Sequence, residues 1–93
     1  MLYEFDGFEW DADKAEKNIK KHGLDFNDAV QVFSDPRHVD LESPQEGELR
    51  YKTIGLSNNI IIVVIHTQRD NKCRIISMRK SRQTERRYYY DHS

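Results

Sequence analysis

Residues 50–79 read RYKTIGLSNNIIIVVIHTQRDNKCRIISMR, and this stretch decides the fold. Arg50–Leu56 reads as a strand, Ser57-Asn58-Asn59 as a hairpin turn, and Ile60–Gln68 as the strongest strand of the chain. The apolar run Ile60–Ile65 is unbroken, as in a strand covered on both faces, which places it centrally in a sheet. Arg69-Asp70-Asn71 turns the chain again, and Lys72–Arg79 is the last long strand. Successive strands joined by tight turns form an antiparallel meander.

Working outward, Ser43–Gly47 is a polar turn and Arg37–Leu41 a weak strand before it. Leu2–Phe8 alternates around Tyr3 and Phe5 and reads as a short strand. Asp11 can cap a helix over Ala12–His22, with Ala15 and Ile19 as its inward stripe and Gly23 as its left-handed stop. Asp25 caps a second helix over Phe26–Phe33, which Asp35-Pro36 breaks. Beyond the meander, Ser81 can cap a basic helix over Arg82–Tyr90. The class is therefore α+β: an antiparallel meander, two N-terminal helices packed on one face, and a C-terminal helix.

Ninety-three residues make one domain with a thin core, here read as spanning 1–93. The net charge of −1 hides an asymmetry. Residues 1–65 hold seven Lys/Arg against thirteen Asp/Glu, whereas residues 66–93 hold eight against three. A basic end on an acidic body implies one face for anions and another that repels them or meets a partner. The single cysteine, Cys73, allows no internal disulfide and suits a reducing cytoplasm. No signal peptide is visible, and the longest apolar run of six residues falls far short of a membrane span.

Phe8-Glu9-Trp10-Asp11, Lys14-Ala15, Asn18 and Lys21-His22-Gly23 resemble the opening of BrnT toxins. Phe26, Ala29, Val32-Phe33 and Asp35-Pro36 continue the match, as do Arg50-Tyr51 and Ile54-Gly55. The run Arg74-Ile75-Ile76-Ser77-Met78-Arg79-Lys80, then Thr84-Glu85-Arg86 and Tyr88, completes it across roughly residues 8–90. The resemblance implies a RelE-like fold and a metal-independent ribonuclease. It also implies a BrnA-like, DNA-binding antitoxin, with operator DNA reached only through that complex.

Such a ribonuclease must deprotonate a ribose 2′-OH, stabilise charge developing at phosphorus, protonate the leaving 5′-oxygen and hold the backbone in line. An unperturbed histidine titrates near neutrality, so His22 and His66 are candidate proton-transfer groups, with Glu48 an alternative base. Arg50, Arg74 and Arg79 are candidate phosphate clamps, because guanidinium matches phosphate in bidentate geometry. Arg74 is the favoured catalytic arginine, Arg79 one that meets the RNA backbone or caps the sheet. A regular strand would set these two on opposite faces. Lys21, Lys80, Arg82 and Arg86 are candidates for tracking phosphates, and Tyr51 or Trp10 for stacking on a base.

Each has a plainer reading. His22 suits a helix C-terminus, His66 a hydrogen-bonded strand end, Arg50 an ion pair with Glu46 or Glu48, and Trp10 the core. Tyr88–Tyr90 suits a core edge or the antitoxin interface. Cys73 has no partner motif for nucleophilic catalysis, the histidines have no metal-ligand spacing, and no cofactor is expected. A catalytically inactive subunit that works only through a DNA-binding partner is the alternative function. Direct DNA binding lacks a helix-turn-helix signature.

Overall fold

The structure, a computed structural model, describes residues 2–5 and 7–92. Strands β1 (Leu2–Phe5) and β2 (Phe8–Asp11) open the chain, followed by α1 (Ala12–His22), a 3-10 turn over Phe26–Asp28 and α2 (Ala29–Ser34). Strands β3 (Val39–Glu42), β4 (Tyr51–Ser57), β5 (Ile60–Arg69) and β6 (Lys72–Lys80) lead to α3 (Gln83–His92). The α+β class and the β3–β6 meander are as the sequence implies.

The sheet is six-stranded, in the order β1-β2-β6-β5-β4-β3. Its two long hairpins turn on Asn58-Asn59 (φ 50° and 66°) and Asp70-Asn71 (φ 51° and 64°). Paired left-handed residues make the turn whose twist matches that of the flanking strands. The N-terminal segment differs from expectation. It is a hairpin of β1 and β2 rather than one strand over Leu2–Phe8, a span that passes through Asp6, outside the described residues. Trp10, the residue before the helix cap Asp11, lies within β2. Strand β2 pairs in parallel with β6, so the sheet is mixed.

β2 pairs with β6 only from Cys73 to Ile75, leaving the upper edge of β6 free. Helix α1 covers that edge. Asp11 caps the helix by accepting hydrogen bonds from the Asp13 and Lys14 amides, and Gly23 closes it at φ 69°. The expected inward stripe is shifted by one residue. Ile19 is 45 % exposed, and Asn18 is buried in its place. The reason is polar: Asn18 Oδ1 accepts the Met78 amide at 3.1 Å and its Nδ2 donates to the Leu24 carbonyl at 3.0 Å. An unpaired strand-edge amide needs an acceptor, and an isoleucine cannot supply one.

Trp10, Phe26, Val32, Val64, Ile75 and Met78 form the core between the N-terminal helices and the sheet. Trp10 meets Phe26 edge-on, so its place is the core and not an exposed stacking platform. Gly55 lets α2 lie flush on β4: a Cβ there would fall 2.8 Å from the Val32 carbonyl oxygen. The other sheet face is covered by α3, whose Tyr89 packs with Ile54, Ile61 and Val63. Tyr89 also donates to Asp35 at 2.6 Å, while Tyr90 is exposed and Tyr88 stacks on His92.

Ser81 is buried but does not cap α3. The Arg86 amide donates to the Arg82 carbonyl, and the Glu85 carboxylate accepts the Arg82 amide at 2.8 Å. Arg82 is thus the cap position, closed by the acid three residues on. No helix among the described residues is long and apolar enough to cross a membrane.

Candidate active site

The register of β6 shifts once. Ile65 faces Ser77, but His66 faces Ile75, so Ile76 is an extra residue in β6. An odd insertion reverses the alternation of everything beyond it. Arg79 pairs with Val63 and Arg74 with Thr67, and on the unbroken strand β5 those partners share a face. The bulge therefore brings Arg74 and Arg79 onto the same side of the sheet, the side that α3 covers in part.

Lys52, opposite Ile65, joins them there. Arg50 precedes the Tyr51–His66 pair and Thr67 follows it, so the register sets Arg50 beside Thr67 and continues a row through Arg74 to Glu9. Four of the cations on this face, Arg50, Lys52, Arg74 and Arg79, are held in place by three carboxylates. Arg79 donates two hydrogen bonds to Glu85, at 2.7 and 2.9 Å, and Lys52 Nζ donates to the same carboxylate at 3.0 Å. Arg50 pairs with Glu48 at 3.3 Å, and Arg74 lies 3.9 Å from Glu9.

The forked bond from Arg79, with the Arg82 amide and Lys52, pulls the Glu85 carboxyl down to about 2. The same pair raises Arg79. Arg79 is therefore spent on anchoring α3, the sheet-capping half of its expected role. Arg74 and Arg50 are held less completely. Among the described residues Arg74 has one ion-pair contact, a long one. Arg50 Nε is buried with no hydrogen-bond partner among the described residues, a donor that a bound anion would satisfy.

His66 faces the opposite side, with Tyr51. Its ring stacks on Tyr51 with centroids 5.7 Å apart and meets Phe33 edge-on at 5.0 Å. Its Nε2 lies 2.7 Å from the buried Thr53 hydroxyl, which donates its one hydrogen to Asp40 at 2.5 Å. The imidazole must then be the donor toward Thr53. Burial lowers the pKa of His66, so the ring is neutral at pH 7.

His22 lies elsewhere again, in a cavity of about 250 Å³ shared with Lys14, Lys17, Lys21, Ile76 and Ser77 along the free edge of β6. The structure thus gathers Arg50, Arg74, Arg79 and Glu48 at one face and leaves His22 and His66 outside that group. Tyr51 stays with His66, and Lys21 with His22. Lys80 and Arg82 are exposed, and Arg86 donates to the Ser81 carbonyl at 2.6 Å. Cys73 is half-buried and its thiol is pushed up to about 12 by burial, so no thiolate forms near neutrality. Among the described residues no group of three His, Cys, Asp or Glu side chains could hold a metal ion.

Lys52, Glu9 and Glu85 escape a reading of the sequence alone. Lys52 carries a usable signal, because it lies two residues from Arg50 in one strand and so shares its face. Glu9 does not, since nothing local announces that β2 pairs with β6.

The site sets guanidinium and carboxylate groups side by side on one face of a small α+β sheet, residue types able to bind a phosphate and to move a proton. The chain belongs to the family described as ribonuclease toxin, BrnT, of type II toxin–antitoxin system, whose family model matches residues 10–85. RNA is thereby its substrate class and an antitoxin its partner. A search of curated proteins gives no match.

Proposed function

We propose that the chain, acting as one domain over residues 1–93, is a metal-independent, RelE-like endoribonuclease of the cytoplasm that cleaves RNA by attack of the 2′-OH. The observation that carries this is the Arg50–Thr67–Arg74–Glu9 row, with Glu48 paired to Arg50 and the Arg50 Nε donor unsatisfied. Arg50 and Arg74 grip the scissile phosphate and stabilise the charge that develops on it. Glu48, paired with Arg50, takes the 2′-OH proton. Lys52, at the edge of the row, supplies the proton for the leaving 5′-oxygen.

The groove of Lys14, Lys17, Lys21 and His22 adjoins this face through Ser77 and extends the backbone contacts past the edge of β6. Lys80, Arg82 and Arg86 add solvent-exposed charge. A BrnA-like, DNA-binding antitoxin silences the chain, and the complex reaches operator DNA only through that partner.

The test is cleavage of a defined RNA by purified protein in excess chelator. Cutting should persist without metal and vanish when the target ribose is 2′-deoxy. Cleavage of the deoxy substrate would rule out 2′-OH attack. A wild-type protein that cuts no RNA at all would leave the inactive-subunit reading, which the carboxylates paired with Arg50, Arg74 and Arg79 favour.

A further inference from the structure

We propose that the cavity between Phe33, Tyr51 and His66 reads guanine in a nucleotide flanking the cleaved bond, with the Asp40 carboxylate as the selecting group. The proposal rests on the RNA-cleaving reading and adds the base to it. The cavity measures about 310 Å³ and is lined by Phe33, Asp40, Tyr51, His66 and Gln68. Its walls are aromatic and its polar groups are few, the composition that suits an unstacked base. Asp40 and Gln68 are exposed.

Asp40 is oriented from behind. The Thr53 hydroxyl donates to Oδ1, His66 donates to Thr53, and His38 Nε2 lies 3.7 Å from Oδ2. The chain of donors runs toward the carboxylate, which stays an acceptor at both oxygens. Guanine is the one RNA base with two adjacent donors, N1–H and the 2-amino group, on its pairing edge. Adenine and cytosine set a lone pair beside their amino group, and uracil has a single donor between two carbonyls. A two-oxygen acceptor therefore accommodates guanine and repels the others. Gln68, which can donate or accept, completes the polar edge.

Geometry ties this cavity to the scissile row. Tyr51 and Gln68 also line a second cavity of about 500 Å³, which runs on to Thr67 and Glu48. A strand gripped on the α3 face can pass round the end of the β4–β5 hairpin and place its next base against Tyr51.

The experiment uses the full chain and fluorescent 2′-O-methyl RNA hexamers, which cannot be cleaved by 2′-OH attack. A uridine background carries one central G, A, C, U or inosine, and binding is read by anisotropy. The G hexamer should bind on the order of tenfold tighter than the A, C and U hexamers. Inosine, lacking the 2-amino group, should lose most of that advantage. Asp40→Asn, which keeps an acceptor for Thr53, should bring the G hexamer to the level of the others. Equal binding of G and inosine, or a G preference that survives Asp40→Asn, overturns the pocket while leaving RNA binding intact. Failure of every hexamer to bind overturns the underlying RNA reading with it.

Discussion

The two faces of the sheet are built from the same three strands and carry opposite chemistries. Under α3, Arg50, Lys52, Arg74 and Arg79 alternate with carboxylates that hold them extended. Under α1 and α2, Tyr51 and Thr53 of β4 and His66 of β5 bury a hydroxyl and a neutral imidazole among rings. A residue's neighbour in sequence is thus its opposite in function, and strand parity with one bulge decides which groups can act together.

The sharpest way to break this contrast is to truncate one residue on each face. Arg74→Ala should lower the single-turnover cleavage rate by about a hundredfold to a thousandfold, the usual cost of losing a donor aimed at developing charge. Its thermal midpoint should fall through the loss of the arginine beside the buried Glu9, but the folded protein should remain intact for the rate measurement. His66→Ala should also lose stability, through a hole beside Phe33 and the loss of the imidazole's hydrogen bond to the Thr53 hydroxyl, but keep a rate within about tenfold of wild type. If His66→Ala abolishes cleavage in folded protein while Arg74→Ala cuts normally, the faces have been assigned the wrong way round.

Within the α3 face, Glu85 should matter to folding more than to chemistry. It is 6 % exposed and receives Arg79, Lys52 and the Arg82 amide. Its carboxyl is held at about 2 against an ordinary 4.5, so it binds a proton more readily when unfolded. The stabilisation is therefore complete above about pH 4.5 and lost as pH falls toward about 2. Glu85→Gln should cost about 2–3 kcal/mol at pH 7, read from urea denaturation. The gap to wild type should narrow below about pH 4.5 and close only near and below pH 2. A gap that stays constant over that range would show that the ion pairs contribute nothing.

Local signals made much of this architecture legible. Asp11 and Gly23 bound α1 where capping chemistry places them, and the asparagine turns set both hairpins of the meander. What stayed hidden is non-local. The parallel pairing of Phe8–Trp10 with Cys73–Ile75 joins segments some 65 residues apart, and no periodicity announces it. The bulge at Ile76 is equally silent, because Arg74-Ile75-Ile76-Ser77-Met78-Arg79 reads as regular strand. Regular alternation would have parted the two arginines that the bulge unites. The placement of the histidines was hidden for a related reason: a residue's chemical type says nothing about which face a strand presents.

The smallest expected effect tests the shifted stripe of α1. Helical spacing selects Ile19 as the inward partner of Ala15, yet Asn18 is the residue the sheet buries. Its carboxamide accepts the Met78 amide that β2, ending at Asp11, leaves unpaired, and it ties the helix to the Leu24 carbonyl. Asn18→Leu keeps much of the bulk but strands that amide, so it should cost about 1–3 kcal/mol. Ile19→Lys touches an exposed position and should stay within about 0.5 kcal/mol of wild type. Hydrogen exchange sharpens the comparison, because Asn18→Leu should speed exchange at Met78 more than at Val64, an interior amide of β5. If Ile19→Lys proves the more damaging change, the apolar pattern rather than the strand edge sets the rotation of α1.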